Sequence, residues 1–138
     1  AAELCGVEFG NEISHVLTLR EKLRNRLQNE LADVSLNGSL EYRLPGNLNL
    51  SFGGTASGAL LMELTKKMAV SSGSACTSAT PEPSYVLKSL GVSDTLAYTS
   101  IRFGVGRFTT EEEIDFAAEV VIKAVKHLRS FSNFQTAV

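Results

Sequence analysis

The chain is poor in several things, and each shortage removes a class of protein. It has two cysteines, Cys5 and Cys76, in 138 residues. They leave room for one disulfide at most, which would be unusual in a reducing compartment, so both read as free thiols. It lacks a cationic excess: 13 Lys plus Arg stand against 15 Asp plus Glu, a formal net charge of −2. Direct nucleic-acid binding, which relies on a clear basic balance, is disfavoured. No apolar run approaches the length needed to cross a bilayer, and the opening Ala1-Ala2-Glu3-Leu4-Cys5 has neither the basic nor the apolar region of a secretory signal. Charged residues make up 20% and apolar residues 43%, so the imbalance that produces disorder is missing too. What remains is one soluble domain, able to bury roughly two-thirds of its extended-chain surface.

The patterning that is present predicts an α+β domain: a small antiparallel or mixed sheet with helices packed on one face. Ile13, Val16, Leu23, Leu27 and Leu31 recur at helical spacing, which predicts a helix over about 11–32. Arg20, Lys22, Arg24 and Arg26 fall largely off that stripe and read as a solvated face. A short strand is expected at 34–36 before the Asn37-Gly38 turn signal. Asn47-Leu48-Asn49-Leu50-Ser51-Phe52 alternates polar and apolar, the period of a half-buried strand. Ser57 can cap a helix over 58–66, and Met68-Ala69-Val70 reads as a brief strand. The small, polar stretch 71–80 reads as a loop. Pro83 suits the start of a short helix and Gly91 its stop. A strand is expected over 98–103, and Thr110-x-x-Glu113 is a capping-box pattern ahead of a long helix with Ile114, Ala117, Val121, Val125 and Leu128 on one face.

Two residues stand out chemically. Cys76 lies among Ser, Gly, Ala and Thr rather than in an apolar setting, where structural cysteines are found. A thiol on such a loop can be carried to an activating site. Arg102 alternates with Ile101 and Phe103 on a strand expected to be partly buried. It reads either as half of an internal ion pair or as a bidentate seat for a carboxylate ligand. Cys5, His15, Cys76 and His127 include no close pair with metal-ligand spacing, so no metal site is expected. His15 and His127 read as surface or capping residues. Gly104-x-Gly106-x-x-Thr109 lacks the third glycine of a dinucleotide fingerprint, and 53–58 lacks the lysine of a phosphate loop. Both read as turns and caps.

One long stretch is specific enough to suggest a family. Val70-Ser71-Ser72-Gly73-Ser74-Ala75-Cys76-Thr77-Ser78, Glu82-Pro83-Ser84-Tyr85-Val86-Leu87, Ser100-Ile101-Arg102-Phe103 and Gly106-Arg107-Phe108-Thr109-Thr110-Glu111-Glu112-Glu113-Ile114-Asp115 together resemble the C-terminal part of a cysteine desulfurase of the housekeeping iron–sulfur-cluster type. These belong to the class V aminotransferases. Pro45-Gly46-Asn47-Leu48-Asn49-Leu50-Ser51-Phe52 resembles the strand before the family's active-site loop, with Gly46 an extra or altered position.

The resemblance implies the C-terminal domain of a fold-type I pyridoxal-phosphate enzyme that converts L-cysteine to L-alanine. In it Cys76 would be the nucleophile that leaves as a persulfide, and Arg102 would hold the substrate carboxylate. It further implies an iron–sulfur scaffold or other sulfur acceptor as partner, a homodimer at full length, and a bacterial cytoplasm, a mitochondrion or a plastid as compartment. The family's cofactor lysine sits in a Ser-x-His-Lys motif that is absent from this sequence, so residues 1–138 are expected to be a single small domain without a cofactor-binding residue of their own. The isolated chain is then expected to turn over slowly or not at all. The alternative is a non-enzymatic sulfur carrier or docking module that bears persulfide on Cys76.

Overall fold

In the computed structural model, residues 2–56, 58–72 and 83–135 are described. The elements run α1 (Ala2–Glu30), β1 (Val34–Leu36), β2 (Asn47–Phe52), α2 (Ala59–Thr65), β3 (Ser71–Ser72), α3 (Tyr85–Ser89), α4 (Asp94–Tyr98), β4 (Ser100–Gly104) and α5 (Glu111–Gln135). The four strands form one sheet in the order β1-β2-β4-β3, and every neighbouring pair is antiparallel. This is the expected α+β class.

The alternation in β2 sorts the sheet into two faces. Leu48, Leu50 and Phe52 are fully buried, and β4 matches them with Ile101 and Phe103. The register sets Leu48 against Phe103 and Leu50 against Ile101. On this face lie the two long helices, α1 with Val16, Leu19, Leu23 and Leu27, and α5 with Ile114, Ala118, Val121 and Val125. The opposite face carries Asn49 and Ser51 of β2, Arg102 of β4 and Ser71 of β3, brought together by the pairs Asn49–Arg102 and Ser71–Arg102.

Helix ends follow local chemistry. The capping box forms as expected: Thr110 N donates to Glu113 Oε2 at 2.9 Å and Glu113 N to Thr110 Oγ1 at 3.2 Å. At the end of α3, Gly91 takes φ 80°, Gly91 N donates to Lys88 O and Val92 N to Leu87 O. That pair of bonds is the glycine stop read from the sequence.

Several expectations are corrected. Helix α1 begins near Ala2 rather than Asn11, because Ala, Glu and Leu before Asn11 favour helix and outweigh Gly6 and Gly10. Met68-Ala69-Val70 forms no strand. Met68 and Val70 instead pack side chains against the core, and the ladder falls on Ser71–Ser72. Helix α4 was not expected; Ser93 caps it by accepting from Leu96 N at 3.4 Å, which delays β4 until Ser100. The residue before α2 is Gly58 at φ 71°, and the proposed cap Ser57 lies outside the described residues.

The basic face of α1 is not a solvated surface. Arg20 is 5% exposed; it pairs with Glu21 and donates to Pro45 O at 3.2 Å. Lys22 reaches Glu111 at 2.9 Å and Asp115 at 3.0 Å on α5, and Arg26 reaches Asp115 at 3.0 Å. Lys22 and Arg26 bridge the two long helices because the stripe that packs α1 on α5 also brings their flanks together.

Candidate functional site

The polar sheet face opens into a cavity of about 540 Å³, walled by Asn49 and Arg102 on the sheet, by Asn37 and Arg43 of the 37–47 connection, and by Leu87 and Leu90 of the α3 region. No aspartate or glutamate is among its described lining residues. Two guanidiniums and three asparagines, with no acid, make a lining that favours an anion.

Arg102 is exposed on β4 rather than partly buried, as was expected. Its Nε donates to Ser71 Oγ at 3.1 Å. The internal ion pair does not form among the described residues: Arg20, Arg24, Arg26 and Arg107 each meet a carboxylate, whereas the terminal nitrogens of Arg102 have no acceptor there. A guanidinium with a tethered Nε and a free end-on edge is geometrically ready for a carboxylate.

The connection that frames the cavity is held by Arg43. Its guanidinium donates to three backbone carbonyls, those of Ser39, Asn37 and Asn47. Burial is the main cause that lowers its pKa, with the nearby charge of Arg20 next. Sequence reading missed Arg43, Asn37 and Asn49. The signal for Asn49 was present: alternation that buries Leu48 and Leu50 must turn Asn49 to the opposite face, where Arg102 also lies.

Cys76 lies outside the described residues, within 73–82. The described residues on either side of that segment border the Arg102 site: Ser71 accepts from Arg102, and Ser84, 9% exposed, lines the cavity. Cys5 has no described side chain. Of the histidines, His15 Nε2 donates to Thr109 O at 3.0 Å, and His127 stacks edge-on against Phe131 at 4.8 Å. Among the described residues no group of His, Cys, Asp and Glu could hold a metal, and no helix is long and apolar enough to cross a membrane. Gly104 ends β4, opposite Asn47, and Gly106 opens a turn closed by Thr109 N donating to Gly106 O at 3.1 Å. No lysine is among the described residues that line the cavity at Arg102 or the smaller one beside it at Leu44, Gly46 and Phe103. The described residues therefore do not fit a resident pyridoxal phosphate, whose aldehyde is carried on a lysine amine.

The site thus lies on the polar face of an antiparallel sheet whose other face is covered by two long helices. Comparison with known proteins places the chain in a family. Residues 1–116 match the family model described as aminotransferase class-V, and the chain belongs to that family. Within it, the chain is 54% identical over 132 residues to the cysteine desulfurase IscS of Anaeromyxobacter sp. strain Fw109-5 and 48% identical over 132 residues to that of Rickettsia prowazekii strain Madrid E. Each alignment takes in 96% of this chain and 32% of the relative, so the chain spans about a third of their length. A solved NifS-like protein superposes with a TM-score of 0.76 at 26% identity, over 91% of this chain and 31% of that one. A NifS-like protein from Rickettsia africae ESF-5 gives a TM-score of 0.68 at 23% identity, over 89% and 30%, and shares the fold.

Proposed function

We propose that the chain is the C-terminal small domain of a pyridoxal-phosphate-dependent cysteine desulfurase. Arg102 holds the carboxylate of L-cysteine, and Cys76 receives its sulfur. The observation that carries this reading is Arg102 itself, tethered at Nε to Ser71, without a carboxylate partner among the described residues, and facing a cavity with no acidic lining. Relatives named cysteine desulfurase, at about half identity over nearly the whole chain, support the choice of reaction.

The net step balances without an outside oxidant. The substrate thiol and the Cys76 thiol become L-alanine and a Cys76 persulfide. A sulfur–sulfur bond forms as the carbon–sulfur bond breaks, the bonding pair stays with carbon, and carbon takes the proton. The sulfane sulfur then passes to an acceptor of the iron–sulfur assembly kind. The cofactor belongs to the part of the longer protein that bears its lysine, and one thiol, Cys76, serves both the site and the acceptor. At full length the protein is a homodimer.

The test is alanine formation from L-cysteine with added pyridoxal phosphate. The full-length protein that carries this chain forms alanine, its Cys76→Ser variant does not, and the 138-residue chain alone forms essentially none. Cys76-dependent alanine from the chain alone would overturn the half-enzyme reading. Full-length protein that keeps its rate with Cys76→Ser would overturn the nucleophile.

A further inference from the structure

Behind Arg102 lies a relay of amides that the desulfurase reading does not use. Asn37 is 5% exposed and Ser51 is fully buried. The Asn37 Nδ2 donates to Asn49 Oδ1 at 2.7 Å and to Ser51 Oγ at 2.8 Å, while the Ser51 hydroxyl lies 3.2 Å from Asn37 Oδ1. The backbone of Asn37 is fixed as well: its N–H donates to Asn49 O at 3.0 Å, and its carbonyl accepts from Arg43 Nη2 at 2.6 Å. A buried amide with this many partners is held in one orientation.

The consequence falls on Asn49. A primary amide has one acceptor oxygen and two donor hydrogens on its nitrogen. The Asn49 oxygen is taken by Asn37, and no described residue accepts from its Nδ2. Asn49 stands directly opposite Arg102 across the β2–β4 ladder, and both line the same cavity. Side chains at such paired positions share a face, with Cβ atoms about 5 Å apart. A carboxylate offers about four lone-pair sites, more than one guanidinium edge fills.

We infer that Asn49 Nδ2 is a second donor to the substrate carboxylate, beside Arg102, and that Asn37, steadied by Ser51, is the positioning residue that keeps those donors free. The identity of the carboxylate rests on the desulfurase reading; the donor geometry does not. An acceptor-only group is rewarded at this site, and a neutral amide in its place brings its own hydrogens against those of Asn49.

The experiment uses the full-length protein that carries this chain and follows sulfide release from L-cysteine in a thiol reductant, with L-alanine and L-alaninamide as competitive inhibitors. Asn49→Ala should raise the inhibition constant for L-alanine about tenfold and leave that for L-alaninamide unchanged. Asn49→Asp should raise it further, because a carboxylate there would pair with Arg102. Asn37→Ala should shift L-alanine in the same direction while also lowering the melting temperature, so Asn49→Ala, at a half-buried position, carries the test. Arg102→Ala is the control. If it weakens L-alanine while Asn49→Ala affects both inhibitors equally or neither, the inference is overturned and the Arg102 seat stands. If Arg102→Ala leaves L-alanine inhibition intact, the carboxylate seat falls, and the inference with it.

Discussion

Gly46 and Val105 meet backbone to backbone: Val105 N donates to Gly46 O at 2.8 Å, and a Cβ on Gly46 would lie 2.0 Å from the Val105 carbonyl oxygen. The altered position in an otherwise recognisable Pro-x-Asn strand start is thus a place where this chain needs glycine. Gly46→Ala must push β2 away from the residues that follow β4. The expected cost is about 1–3 kcal/mol, read as a lower urea midpoint; an unchanged midpoint would mean the close approach is not maintained.

The capping box at α5 gives a second expectation. Thr110→Ala removes the oxygen that accepts from Glu113 N and should destabilise the chain by about 1 kcal/mol. Thr110→Ser should restore most of that, since the hydroxyl is what acts. Equal losses for both variants would place the effect in the methyl group.

The bridge between α1 and α5 predicts a pH dependence. The Asp115 carboxyl is held below its ordinary value of 3.8 chiefly by the Lys22 hydrogen bond, against some desolvation and with help from Arg26. Lys22 is raised above 10.5, first by Glu111 and then by Asp115. A lowered carboxyl adds stability above its unfolded pKa and loses it as pH falls through the folded value. A raised amine adds stability below its unfolded pKa and loses it as pH rises through the folded value. Urea melts from about pH 2 to about pH 7 should therefore show a shallower acid limb for Lys22→Met than for the unaltered chain. Parallel limbs would remove the pair from the stability balance.

On the desulfurase reading, Arg102→Lys in the full-length protein should raise KM for L-cysteine about tenfold or more. An ammonium presents a point charge where a planar fork is needed. Because Arg102 is exposed and bonds to Ser71 alone among the described side chains, the melting temperature should hardly move. A fall in melting temperature with unchanged KM would make Arg102 structural.

Much of this was legible from the order of the residues, for identifiable reasons. The β2 alternation, the Thr110–Glu113 box and the Gly91 stop are local rules, and local rules survive folding. The misses involve partners distant in the chain. Arg20, Lys22 and Arg26 looked solvated because the partners that draw them in, Pro45, Glu111 and Asp115, lie far along the chain; the local carboxylates Glu21 and Glu30 pair with Arg20 and Arg26 as well but do not by themselves take a cation out of water. β3 escaped because two serines have no strand signature and pair only because Arg102 and Ile101 lie opposite. Arg102 was singled out, with its role left open, while Asn37 and Asn49 looked like turn and strand filler until the sheet brought them beside it.

The same ladder that buries Leu48, Leu50 and Phe52 sets Asn49 against Arg102. A slip of one residue in β2 would turn its three apolar side chains outward and carry its polar ones into the core. Misalignment of the site and loss of the core are thus one event, with no well-folded yet misassembled population between them. Every molecule that survives folding carries Asn49 beside Arg102, and on the desulfurase reading the specific activity of the full-length protein per folded molecule should stay constant across preparations of differing yield.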